Sequence, residues 1–305
     1  LTLTVRENRS LFPAALVVAF TIELFSVNIS TNAHSPFDPY PEIPLLKPIS
    51  MEANSGRWFR TQDDARMQGH WACAYGLNEW GGISPIRLQT WADFDEFVPE
   101  EIRFKLMGID YLITWKTNSI TREDVIIPAD RIYSGAAPLG PATVYKLPWK
   151  AKRAWLVKSA STLSSNNDVW QTLSSDDFSV YENALINSSS MPIKSDEGSI
   201  EIIVDRPGYI ELEVNNKDQA FLVISEAWYP GWVASIDNIQ TPTQLVNGYL
   251  QGIHLNNTGP QTIFLEYRPS IFTQGSIVSV IGLTLTLLLF LWKPIKPDAK
   301  LSKTP

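Results

Sequence analysis

From Ile271 to Trp292 the chain reads IFTQGSIVSVIGLTLTLLLFLW, twenty-two residues without a charge. At 1.5 Å rise per residue, about twenty apolar residues cross a hydrocarbon core of about 30 Å. A core helix of this length in a globular protein would carry a polar stripe. Here only Ser, Thr and Gln274 interrupt the apolar run. We expect a transmembrane helix over 271–292, with Trp292 as an interfacial aromatic. Lys293, Lys296, Lys300 and Lys303 follow it, so the tail 293–305 is expected in the cytoplasm.

A second apolar run, Leu11 to Asn28, is shorter and contains Glu23. Arg6 and Arg9 precede it, which places that end in the cytoplasm too if the helix spans. Glu23 lies near the far end of the run, where a carboxylate reaches the interface cheaply. The expected topology puts both termini inside and the bulk of the chain outside. The formal net charge is −7, and the acidic residues concentrate between the two basic ends. Such a balance argues against nucleic acid, which needs a basic footprint. A single cysteine, Cys73, excludes an intrachain disulfide. His34, His70 and His254 are far apart and show no metal-ligand spacing.

The organisation expected is membrane-anchored α+β. Residues 1–28 form a cytoplasmic end and a membrane helix, and 29–56 a Pro-rich linker. Prolines at 36, 39, 41, 44 and 48 argue there for an extended crossing. Residues 57–160 read as a mixed α/β lobe. Its clearest helix starts at Pro99, with Glu100 and Glu101 in the first turn, and stops at Gly108, before the strand IDYLITW. Residues 161–198, rich in Ser, Asn and Asp, read as a polar linker with at most a helical turn in WQTLSSDDF. Residues 199–270 hold seven short strands from SIEIIVD to TIFLEYR. Pro207-Gly208, Asn215-Asn216, Pro230-Gly231 and Asp237-Asn238 mark turns between them. Even spacing with such turns predicts an antiparallel β-sandwich, jelly-roll-like.

Two stretches are candidates for ligand contact. In NEWGGISP (78–85), Gly81 and Gly82 let a ligand approach the backbone, Glu79 supplies a carboxylate, and Ser84 a hydroxyl. The plainer alternative is a loop with a turn. In SEAWYPGWVASID (225–237), Trp228, Tyr229 and Trp232 flank a Pro-Gly turn, with Glu226 and Asp237 nearby. Exposed rings with polar neighbours would stack on a pyranose and bond its hydroxyls. The alternative, favoured by the habit of large aromatics in small β domains, is that Trp228 and Trp232 fill the core. The adjacent acids Asp63-Asp64, Glu100-Glu101 and Asp176-Asp177 point apart and do not make a glycosidase pair. With no P-loop, nucleophile elbow or dinucleotide fingerprint, neither a catalytic residue nor a cofactor or metal is assigned.

The C-terminal stretch ISEAWYPGWVASIDN, then LVNGYLQGIHLNNTGPQTIFLEYRPSIFTQG and a terminal helix, resembles the end of the YfhO-like bacterial membrane proteins. The matches are Tyr229-Pro230-Gly231-Trp232, a hairpin at Asp237-Asn238, the pair Asn247-Gly248, and a strand from Phe264 to Pro269 entering the last helix. Asn238 stands where Gly is commoner, and Asn also tolerates positive φ. Upstream, GRWFRT, YGLNEWGGISPIRL and KRAWLV match more loosely, with Glu79 in the place of an acid and Gly82 where Tyr is usual. The resemblance covers nearly the whole chain. It implies a polytopic, GT-C-related glycosyltransferase of the bacterial cell membrane. Such an enzyme moves a sugar from a polyprenyl-phosphate carrier to a cell-envelope glycan outside the cytoplasm. The family's presumed catalytic acid would lie N-terminal to Leu1, so this portion is expected to position acceptor or donor. A non-catalytic, membrane-tethered module that binds carbohydrate or protein is the other expectation.

Overall fold

The computed structural model describes residues 11–31, 42–54, 58–63, 74–81, 87–115, 127–163, 165–186, 193–194 and 198–291. It divides into two compact units, Leu1–Ile43 and Pro44–Pro305. The first holds α1 (Leu11–Thr31). Two spans were expected. Among the described residues one helical stretch, Ser270–Leu289, is long and apolar enough to cross a membrane.

The second unit is mixed α+β with mostly antiparallel sheets. It opens with a 3-10 turn (Pro44–Leu46) and α2 (Lys47–Ala53), burying Leu45, Leu46 and Ile49. This corrects the expectation of extended chain in the described part of 29–56. Pro44 and Pro48 open short helices, where a missing N–H is no loss, instead of blocking them. β1 (Arg60–Asp63) follows, then α3 (Gln89–Phe97) and α4 (Glu100–Met107), which Gly108 ends as expected. β2 (Ile109–Thr114), β3 (Asp130–Ala137) and β4 (Gly140–Lys146) complete a sheet of order β1-β2-β4-β3, with β1 parallel to β2.

Next come β5 (Ala154–Val157), β6 (Ser159–Thr162), α5 (Asn166–Leu173), β7 (Asn183–Ile186) and β8 (Ile193–Lys194). β9 (Gly198–Arg206), β10 (Tyr209–Asn216), β11 (Ala220–Ala227) and β12 (Trp232–Ile236) follow. The last strands are β13 (Ile239–Thr241), β14 (Gln244–Val246), β15 (Leu250–Leu255) and β16 (Gly259–Tyr267), and the final element is α6 (Ser270–Leu291). They form a seven-stranded sheet, β5-β11-β15-β14-β7-β6-β8, and a five-stranded antiparallel sheet, β13-β12-β16-β10-β9.

The expected polar linker 161–198 is therefore corrected. It supplies β7 and β8 to the larger sheet, and α5 to the core. Ser165 caps α5 by accepting a hydrogen bond from the Asp168 amide at 3.2 Å. Val169, Trp170 and Leu173, at helical spacing, then point one way and are buried. Nor do the two larger sheets draw only on 199–270, because β5, from within the expected lobe 57–160, pairs directly with β11.

β11 shows why the parts cohere. Its first six residues are all buried. Successive side chains in a strand point to opposite faces. Ala220, Leu222 and Ile224 meet Ile210, Leu212, Ile263 and Leu265 of the smaller sheet in one core. Phe221 and Val223 enter a second core with Phe94 and Phe104 of α3 and α4, Trp170 of α5 and Tyr249. The larger sheet thus lies between the smaller sheet and the helices. On the smaller sheet's other face, Glu211 and Glu213 alternate with the buried Ile210, Leu212 and Val214, leaving that face wet.

Candidate functional site

The NEWGGISP stretch docks as a short extension of β1. The Thr61 amide donates to the Asn78 carbonyl at 2.7 Å, and the Trp80 amide donates to the Thr61 carbonyl at 3.0 Å. This parallel bridge sets Glu79 opposite buried Thr61 and beside Gln62 and Asp63. Gly81 leaves room beside the carboxylate. A Cβ there would lie 3.3 Å from Glu79 Oε1 and 3.8 Å from Gln62 Oε1. Gln62 Oε1 is buried with no hydrogen-bond donor. Burial first, and the nearby Asp63 charge second, push the Glu79 carboxyl up to about 7. A carboxyl poised there exchanges a proton near neutral pH and offers either a donor or an acceptor to a sugar hydroxyl. Gly82 and Ser84 lie outside the described residues. Trp80 does not stand alone: its ring lies 6.0 Å from that of Trp91, which Arg87 covers at 4.7 Å.

Because Glu79 is raised on folding, the folded state holds its proton more tightly than the unfolded chain does. Its contribution to stability is full below about pH 4.5 and is lost as pH rises toward 7. Urea midpoints measured from pH 4 to 8 should therefore fall through that window. Glu79→Gln should flatten the fall. An unchanged slope in the variant would remove Glu79 as its source.

The second stretch is placed differently from either sequence alternative. Trp228, Tyr229, Pro230 and Gly231 connect β11 of the larger sheet to β12 of the smaller one. Trp228 and Trp232 are half-buried, and Tyr229 is exposed at 43%. Trp232 packs its inner edge on the inter-sheet core. Its ring also lies 5.6 Å from Tyr267, and Tyr229 is 6.4 Å from the same ring. Of the two rings expected in the core, Trp232 thus packs one edge there and Trp228 is half-buried. Asp237 is at the opposite end of β12, in the Asp237-Asn238 turn, where its carboxylate accepts from the Thr262 amide at 2.9 Å. It does not share a site with the three rings.

Sequence reasoning missed a buried ionic cluster behind this turn. Arg153, only 4% exposed at its side chain, donates from Nε and Nη2 to the two Asp205 oxygens at 3.0 Å each. Its Nη2 also reaches Glu226 Oε2 at 2.7 Å, and Nη1 donates to the Ser225 carbonyl. Arg60 adds Nη1 bonds to the Met107 carbonyl (2.9 Å) and Ser225 Oγ (3.0 Å), and lies 3.7 Å from Glu226. The Trp58 ring lies against both guanidiniums, at 5.0 Å and 5.3 Å. Burial and the charge of Arg153 hold Arg60 down at about 10. Two cations against two carboxylates balance, so the cluster clamps four chain segments together and presents no net charge to a ligand. No local motif could have announced it, since its members come from positions 60, 153, 205 and 226.

Among the described residues, no three His, Cys, Asp or Glu side chains converge as metal ligands would. Comparison of the chain with protein-family models, with curated proteins and with solved structures yields no match.

Proposed function

We propose that this chain is the membrane-tethered, extracytoplasmic part of a cell-envelope protein, built to position a glycan acceptor or a polyprenyl-phosphate-linked sugar donor. In this reading the two facing sheets form a jelly-roll-like sandwich outside the cytoplasm. The observation that carries the tether is α6. Ser270–Leu289 is uncharged and predominantly apolar, none of it is buried, and it leaves the body directly at the end of β16. At about 25 cal/mol per Å², such a helix in water would leave so much apolar surface exposed that it demands either lipid or a partner. Its length of about 30 Å matches lipid. The lysines after it favour a cytoplasmic tail. The glycan part of the proposal draws on the YfhO-like resemblance. It is supported by the exposed Tyr229 ring and by the protonatable Glu79 carboxyl.

Topology and ligand are tested in one preparation, the full chain in sealed right-side-out vesicles with Cys73→Ser. A membrane-impermeant maleimide should label Ile239→Cys, a 72% exposed site, in intact vesicles. Ser302→Cys should label only after lysis. The reverse pattern overturns the orientation. Envelope glycan fragments and polyprenyl-phosphate sugars should then bind the unlabelled protein, and Tyr229→Ala should weaken binding up to about tenfold, the scale of one stacked ring. Binding by neither ligand class removes the positioning role and leaves the tether.

A further inference from the structure

The joint between β16 and α6 is unusually short and tightly held. Only Arg268 and Pro269 separate Tyr267, the last strand residue, from Ser270, the first helical one. Two residues reach about 7 Å at most. Both flanking turns grip this joint. The Tyr267 amide donates to the Gly208 carbonyl at 2.9 Å, and the Arg268 amide donates to the Gly231 carbonyl at 2.7 Å. Gly231 permits the second contact, because a Cβ there would lie 3.0 Å from Pro269 Cα and 3.1 Å from the Tyr267 ring. Pro269 also accepts from the Phe272 amide at 3.1 Å, starting the helix without slack.

The strand registers put one set of side chains at this end of the smaller sheet. Trp232 pairs with Tyr267, Tyr209 with Glu266, and Arg206 with Tyr209. The Arg206 guanidinium lies 4.7 Å from the Tyr209 ring, and Arg268 is paired with Glu266 at 2.5 Å. Tyr229 and Tyr267 are exposed, at 43% and 36%. Rings with an apolar body and a polar tip, beside guanidiniums, are the side chains that partition to the boundary between hydrocarbon and water.

We propose that Tyr229, Trp232, Tyr267 and Tyr209, with Arg206 and Arg268, form a collar that lies in the lipid headgroup layer of the membrane crossed by α6. The proposal rests on the tether described above and deepens it. If α6 enters hydrocarbon at Ser270, the ring of Tyr267 is held within about 10 Å of that boundary by three residues of extended chain. The interfacial layer on each side is about 5–8 Å thick. The clamped joint denies the body the slack to float clear of it. The collar then fixes which edge of the domain faces the bilayer, and so where a lipid-linked ligand would meet the protein. The opposite edge, with Ile239 at the β12–β13 turn, projects into water.

The test is site-directed spin labelling of the full chain in phospholipid nanodiscs, with Cys73→Ser throughout and one added cysteine at a time. Pro230→Cys and Arg206→Cys probe two separate turns of the collar, so loss of one variant leaves the other. Ile239→Cys reports the far edge and Leu285→Cys the helix interior. The ratio of accessibility to oxygen over accessibility to a polar nickel complex should be several-fold higher at 230 and 206 than at 239, and highest at 285. If 230 and 206 match 239 while 285 reads hydrocarbon, the tether stands and the collar is refuted. If 285 also reads water, tether and collar fall together.

Discussion

Arg153→Met is expected to destabilise the folded domain by about 3 kcal/mol, the lower part of the range for breaking a buried ion pair by removing one partner. Arg153 makes four bonds, two of them a fork on Asp205, and is almost wholly buried. Without it, Asp205 and Glu226 are left as neighbouring carboxylates with only Arg60 at 3.7 Å from Glu226. Their side chains retain 21% and 28% exposure, so water recovers part of the loss. Arg153→Lys keeps the charge but not the fork, and should cost about half as much. Glu226→Gln should cost less again, because the Asp205 fork survives. Urea unfolding of the detergent-solubilised chain, followed by tryptophan emission, reads all three. A loss below about 0.5 kcal/mol for Arg153→Met, the scatter of ordinary surface substitutions, would mean that the cluster clamps nothing.

Gly248→Ala should be of comparable size, about 2–5 kcal/mol, from two separate causes. The Asn247-Gly248 turn between β14 and β15 is closed by the Tyr249 amide on the Val246 carbonyl, with φ of 52° and 72° at its two central residues. An alanine in that left-handed region costs about 1–2 kcal/mol. Its Cβ would also collide with the six-membered ring of Trp170, which is buried in the core. Overpacking of this kind costs about 1–3 kcal/mol. Gly259→Ala separates the two causes, because its φ of 92° is also positive but open space surrounds the site. Were the two variants equally stable, the Trp170 contact would carry no weight.

Those two positions also mark what local sequence reveals. The Asn247-Gly248 pair stood out only as a match in the YfhO-like resemblance, although positive φ at two successive residues is a requirement that very few residue types meet. That this turn holds α5 in place through Trp170 was not legible. The helix shows only Val169, Trp170 and Leu173 in a window of Ser, Asn and Asp, too few apolar residues for a periodic signal. Its stability comes from the pocket that receives them. The strands of 199–268 stood out because alternation with period two needs nothing beyond six to nine residues, and β10 follows it residue by residue. β11 obscured the pattern because both its faces are covered. The Glu79 stretch was visible as glycines beside an acid, but the neutral-range carboxyl depends on Thr61 and Gln62 bringing β1 against it. The YPGW rings were visible as a cluster. Which way they face was decided by Tyr267, 35 or more residues downstream.

The sequence alone determined the long apolar helix, its basic tail, the helix between Pro99 and Gly108 and the succession of short strands. Each of these is set by side-chain transfer energies or backbone torsions within one turn or one strand. Tertiary structure decided that residues 161–198 belong to the core, that four distant charges neutralise one another, and that the aromatic turn abuts the base of α6. These depend on pairings across tens to hundreds of residues, whose energy appears only when the sheets close and exclude water.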